Sequence, residues 1–175
     1  MAVNIPSALI NFEVYDSESK RLLGSSDIEL PEISFMTAEL QGAGVLGKTE
    51  HPIMGAVENL TLKITWRVLD GASIKLLANQ TQDLMICGAV QVHNATKGTM
   101  GVKAVKVECS GLIKSSSLGK FEGAAKTDTT TELNLDYLKI TIDSTEVLEF
   151  DRFNYKYTVG AYDYLDKVRD ALGFD

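Results

Sequence analysis

Residues 42–49 read GAGVLGKT. Gly42, Gly47, Lys48 and Thr49 fall at the spacing G-x-x-x-x-G-K-[ST], in which backbone amides and a lysine cradle nucleotide phosphates, and the first six letters also fit G-x-G-x-x-G. That chemistry needs a buried strand leading into the loop and a helix N-terminus leaving it, whose free amides and dipole hold the anion. Neither flank supplies it. The preceding ISFMTAELQ is interrupted by Thr37, Glu39 and Gln41, so it is no buried central strand. After Lys48 the chain continues TEHPIMGAVEN, where Pro52 lies past the first helical position that tolerates proline and Gly55 follows. The aspartates available for magnesium, Asp70 and Asp143, both follow alternating segments rather than buried strands. The letters are read as a coincidence: no nucleotide and no cofactor is expected, and residues 36–57 are read as a long glycine-rich loop between two strands.

Other reactive residue types are scattered. The two histidines, His51 and His93, stand beside turn residues without spaced Cys, Asp or Glu partners and read as loop histidines rather than metal ligands or bases. Cys87 and Cys109 lie in β-like runs without CxxC spacing, which makes them structural thiols rather than a zinc site or a disulfide. Asp128, Glu132, Asp136 and Asp143 read as a solvated strand face rather than the paired carboxylates of glycoside chemistry. Ser25, Ser26 and residues 115–117 lack a nucleophile elbow. Asp163 and Asp166 are expected in the first turn of a helix, where the dipole favours them. No catalytic constellation results, so the chain is not expected to be an enzyme.

The elements that carry these residues are mostly strands. In ENLTLKITWRVLD (58–70), Leu60, Leu62, Ile64, Trp66 and Val68 alternate with Thr61, Lys63, Thr65 and Arg67. Such period-two patterning marks a strand with one buried and one wet face, and that belongs to antiparallel sheets. LMICGAVQV (84–92) and MGVKAVKVECSG (100–111) are strand-like and flank a polar turn containing Gly98. In TELNLDYLKITID (131–143) the apolar phase changes near Asp136 and Tyr137, which predicts a bulge or bend. TEVLEFDRFNYKYTV (145–159) changes phase in the same way and is read likewise. Two helices are predicted. Ser73 would cap a short one through Leu77, and Ala161, Tyr164, Leu165, Val168, Ala171 and Leu172 form a stripe at helical spacing over 161–172, closed by Gly173.

With 175 residues, 45% hydrophobic and 23% charged, the chain is expected to form one domain over 1–175 with a real core. Neither a leader nor a run of about 20 apolar residues is seen, so synthesis in the bacterial cytoplasm is expected. A net charge of −7 argues against a sequence-reading nucleic-acid binder, though not against DNA passing nearby.

The order of these features resembles the major tail tube proteins of contractile phage tails and R-type bacteriocins. Several segments carry the resemblance. AELQGAGVLGKTEHPIMG matches the family's E-x-x-G-x-G loop through Glu39, Gly42 and Gly44. LNLDYLKITIDSTEVLEFDRFN matches an acidic run through Asp136, Tyr137, Asp143 and Asp151, and VGAYDYLDKVRDALGF matches the ending through Gly160, Leu165, Arg169, Leu172 and Gly173. Asp163 stands one place later than the family's acidic residue. The resemblance implies a mainly β, antiparallel two-sheet barrel or sandwich with one or two flanking helices, closing as a homo-hexameric ring. Rings would stack into a hollow tube inside a sheath protein. Baseplate, tail-terminator and tape-measure proteins would be its further partners, and DNA would pass through without specific binding. A secretion tube carrying effectors in its lumen is the alternative. Within that expectation Glu39, Leu40, Gln41, Gly42, Gly44, Val45, Leu46, Gly47, Lys48, His51, Pro52, Ile53 and Met54 form an inter-ring assembly loop.

Overall fold

The computed structural model describes residues 4–16, 21 and 24–174; the side chains of Ser25 and Ser26 lie outside this description. The chain is mainly β, with two antiparallel sheets and a short C-terminal helix. In order it forms β1 (Asn4–Asp16), β2 (Ser25–Glu29), β3 (Phe35–Leu40), β4 (Thr49–Val57), β5 (Leu60–Trp66), α1 (Gly71–Lys75), β6 (Gln82–Asn94), β7 (Thr99–Ser117), β8 (Thr129–Ile142), β9 (Thr145–Asp151), β10 (Lys156–Val159), β11 (Tyr162–Asp163) and α2 (Asp166–Leu172). Nine strands make one sheet in the order β1-β6-β7-β8-β9-β10-β11, with β5 also pairing β8 and β2 pairing β5. β3 and β4 form a separate two-stranded sheet.

The alternation is realised over β5, where Leu60, Leu62, Ile64 and Trp66 are buried and the intervening residues half-buried; Val68, expected on the same face, lies past the end of the strand and is 56% exposed. Across the ladder Leu62 faces Leu133 and Leu60 faces Leu135, all four fully buried. Each such side chain contributes about 1.5–3 kcal/mol relative to exposure. The same cluster takes in Val14 from β1, Leu84 and Ile86 from β6, Val107 and Cys109 from β7, and Phe150 from β9. The large sheet therefore folds over on itself around one core. Trp66 donates its indole N–H to the Thr131 hydroxyl at 3.1 Å, which satisfies a polar group that burial would otherwise strand.

The phase change near Asp136 is a bulge. Leu135 pairs with Gly111 and Tyr137 with Ser110, so Asp136 has no partner opposite. There β8 exchanges one neighbour: residues 129–135 pair with β5, and residues 137–142 pair with β9. The extra residue keeps Leu135 and Leu138 both in the core across that change.

Five expectations are corrected. The phase change within 145–159 is a chain reversal, because the Asp151 carboxylate accepts hydrogen bonds from the amides of Phe153 and Asn154 and turns β9 back into β10. Ser73 is not the N-cap of α1: Asp70 is, and the Ser73 hydroxyl lies 3.2 Å from the Asp70 amide that donates to it. His51 and His93 sit within strands β4 and β6 rather than in loops. The last helix begins at Asp166, not at residue 161, because Tyr162 and Asp163 pair with Val159 and Thr158 to end the sheet. Asp163 thus lies in a strand, and only Asp166 is in the first helical turn. Gly173 closes the helix in the left-handed conformation.

Candidate assembly hairpin

The phosphate-loop letters sit at the end of a protruding β-hairpin. β3 and β4 pair from Leu40–Thr49 through Glu39–Glu50 and Ala38–His51 to Thr37–Pro52, and the chain crosses over in residues 41–48. Most of the expected loop over 36–57 is therefore strand. Gly42, Gly44 and Gly47 all take left-handed φ values, as a tight irregular tip requires, and the Val45 amide donates to the Gly42 carbonyl at 3.1 Å. No helix follows. Lys48, the residue that would contact phosphate, instead pairs with Glu39 across the hairpin at 2.5 Å. Both partners are largely exposed, so replacing Lys48 by Ala is expected to change unfolding free energy by about 0.5 kcal/mol or less in urea titrations.

Pro52 is accommodated because a two-stranded sheet has only edges and its missing amide interrupts no second ladder. Beyond it the register breaks. Thr37 faces Pro52 but Phe35 faces Val57, so residues 53–56 bulge out of β4. The hairpin carries exposed apolar side chains along its length: Met36, Leu40, Ile53 and Met54, with Leu46 at the tip 107% exposed. Gln41 at the start of the tip and Gly47 near its end are also exposed, whereas Val45 is half-buried.

The base of the hairpin is tied to the body. The Glu58 amide donates to the Ser34 carbonyl at 2.9 Å. Arg152, from the turn between β9 and β10, donates to the carbonyls of Val57 and Glu58 at 3.2 and 2.9 Å and lies 3.6 Å from the Asp136 carboxylate of the β8 bulge. Phe35 packs edge-on against Tyr157 at 5.6 Å between ring centroids, and Tyr157 in turn touches Tyr164 at 5.7 Å. Between residues 52–54 and the side chains of Tyr157, Val159 and Tyr164 lies an open cavity of about 400 Å³.

The C-terminal element is itself clamped. Arg169 pairs with Asp163 at 2.7 Å and donates to the Tyr155 carbonyl at 2.8 Å, and Asp163 also accepts from the Leu165 amide. Burial pushes the Asp163 carboxyl up, but the Arg169 guanidinium and the amide outweigh it and hold its pKa below the usual carboxylate range. A depressed folded-state pKa gives stability that is present above the unfolded value and lost as pH falls through the folded one. The C-terminal helix is therefore expected to loosen below about pH 4, seen as faster amide exchange over 166–172, and Asp163→Asn should remove that pH dependence.

The remaining candidates are kept apart. Glu132 accepts from Ser115, Asp136 faces Arg152, and Asp143 accepts from the Ala104 amide. Among the described residues no three His, Cys, Asp or Glu side chains group as a metal site would require. Burial pushes the Cys109 thiol up to about 12, so it is not a poised nucleophile.

A family model for phage tail tube protein FII matches residues 6–173. The chain belongs to that family. It is a structural tube subunit of a contractile tail. Among solved structures, a chain of the sheath-tube complex of an extracellular contractile injection system (PVC, extended state) is 14% identical to this tail tube subunit. It superposes with a TM-score of 0.47 over 78% of this chain and 90% of that one. No curated protein matches the tail tube subunit. The strand character of the hairpin and its anchoring by Arg152 leave no periodic mark in the sequence, because exposed strands have no alternation and contacts distant along the chain have no period.

Proposed function

We propose that this tail tube subunit closes with five others into a ring, that rings stack head to tail into a hollow tube beneath a sheath protein, and that residues 39–54 bridge neighbouring rings. The observation that supports this best is the hairpin itself: two outer strand edges without a partner among the described residues, exposed Met36, Leu40, Ile53 and Met54 on the strands, and exposed Leu46 at the tip. Free edges and clustered apolar side chains are what a monomer avoids and a polymer covers. The tube would end on baseplate and terminator proteins, enclose a tape-measure protein, and reside in a virion or bacteriocin tail. In a particle with a head, DNA would slide through, and the chain's net charge of −7 disfavours phosphate sticking to the subunit. The subunit would need no catalysis, nucleotide or metal.

Negative-stain electron microscopy of the purified subunit at rising concentration, with and without its sheath partner, tests the proposal. Hollow rings or tubes with six-fold end views are expected. A strictly monomeric protein under all conditions would overturn it.

A further inference from the structure

The anchors at the hairpin's base fix where it starts but leave its angle open. Phe35 and the Arg152-bonded carbonyls of Val57 and Glu58 lie at one end of the hairpin, and a strand pair held at one end can pivot about it. Packing along its side gives little restraint, because the cavity separates residues 52–54 from Tyr157, Val159 and Tyr164. One further contact lies on that side. In the bulge of β4, the Gly55 backbone rests on the side chain of Leu165, the N-cap residue of α2.

Two features of this contact favour glycine. Gly55 has φ +68°, which L side chains rarely adopt, and a Cβ there would stand 2.4 Å from Leu165 Cδ2 and 2.7 Å from its Cγ. Leu165 is held at its backbone. It is buried, its amide is held by Asp163, and its carbonyl accepts from the amides of Val168 and Arg169.

We infer that Leu165 is a positioning residue for assembly: with Gly55 it forms the second point that sets the angle of the hairpin, so the C-terminal element controls tube growth without having to touch a neighbouring subunit. This rests on the proposed assembly role of the hairpin. The test separates the two.

Angle is read in the unassembled full-length subunit as the distance between spin labels at Leu46→Cys and Lys167→Cys in a Cys87→Ser background; Cys109 is buried and stays unlabelled. Growth is read, on unlabelled chains, as the critical concentration for tubes. In Gly55→Ala the mean label distance is expected to move and the critical concentration to rise about tenfold or more. Adding Leu165→Ala removes the obstructing atoms and should return both readings toward wild type. Gly98→Ala is the control for backbone strain, since Gly98 has φ +65° and a Cβ there would meet nothing within 4 Å, and it should change neither. If Gly55→Ala does not fold, Leu165→Ala alone carries the test, by broadening the distance distribution.

An unmoved distance in folded Gly55→Ala, or a distribution in Leu165→Ala as narrow as wild type, overturns the inference. A moved distance with unchanged tube growth keeps the positioning contact and overturns the assembly role of the hairpin instead.

Discussion

Replacing residues 41–48 by Asn-Gly is expected to stop tube growth while leaving a folded subunit. Leu40–Thr49 is the last ladder pair, and Asn-Gly closes a two-residue hairpin directly on such a pair, so β3 and β4 stay joined. The excised tip has little part in the core: Leu46 is fully exposed, and the half-buried Val45 does not belong to the central cluster. Far-UV circular dichroism and the urea midpoint should therefore stay near wild type. Under the proposed assembly role the opposite is expected of polymerisation, since Leu46 is the most exposed apolar side chain of the hairpin. The expected result is no pelletable polymer and no tubes by electron microscopy at concentrations where wild type polymerises. Normal tubes from this variant would remove the tip from assembly.

Trp66→Ala is expected to cost about 3–5 kcal/mol, the range for emptying an aromatic site in a packed core. Set against a total stability of about 5–15 kcal/mol, that leaves the subunit at the edge of unfolding. Trp66 is buried among Leu62, Leu133 and their neighbours, so little can collapse into the space. A second variant separates packing from polarity. Thr131→Val keeps the shape but removes the acceptor of the indole N–H, and should cost about 1–3 kcal/mol. Urea unfolding followed by circular dichroism reads both, because Trp66 is the only tryptophan and fluorescence is lost with it. A loss below about 1 kcal/mol for Trp66→Ala would contradict the core described above.

Legibility in the sequence follows the contrast between the two faces of each strand. β5 can be read residue by residue because Leu60 to Trp66 are buried and their neighbours half-exposed. The bulge at Asp136 is legible for the same reason, since both flanking runs keep an inward face. The identical signal near Asp151 means a reversal, because period alone does not separate a bulge from a turn; the Asp151–Asn154 pairing decides it. The hairpin is illegible as strand because almost all of β3 and β4 is exposed, which leaves no alternation, and Pro52 and Gly55 then read as breakers. Ala161 and Tyr164 fit a helical stripe by spacing, but Gly160 turns the chain back so that Tyr162 and Asp163 pair with β10. The Gly55–Leu165 contact has no local signal at all. It depends on two elements far apart in the chain meeting over the hairpin's base.

The place of β8 between β5, β7 and β9 also sets a timetable for biogenesis. Asn4 pairs with Asn94 and Leu60 with Leu135, so β1, and the edge of β5 not paired with β2, have no native partner until much of the chain has been translated. At about 5–20 residues per second that wait lasts seconds, during which the alternating face of β5 is exposed to chaperones and to other nascent chains. Pairings of such sequence separation also close slowly after release. The core can close only once β8 has emerged with β9 behind it, because Leu133, Leu135 and Leu138 of β8 and Phe150 of β9 all belong to it.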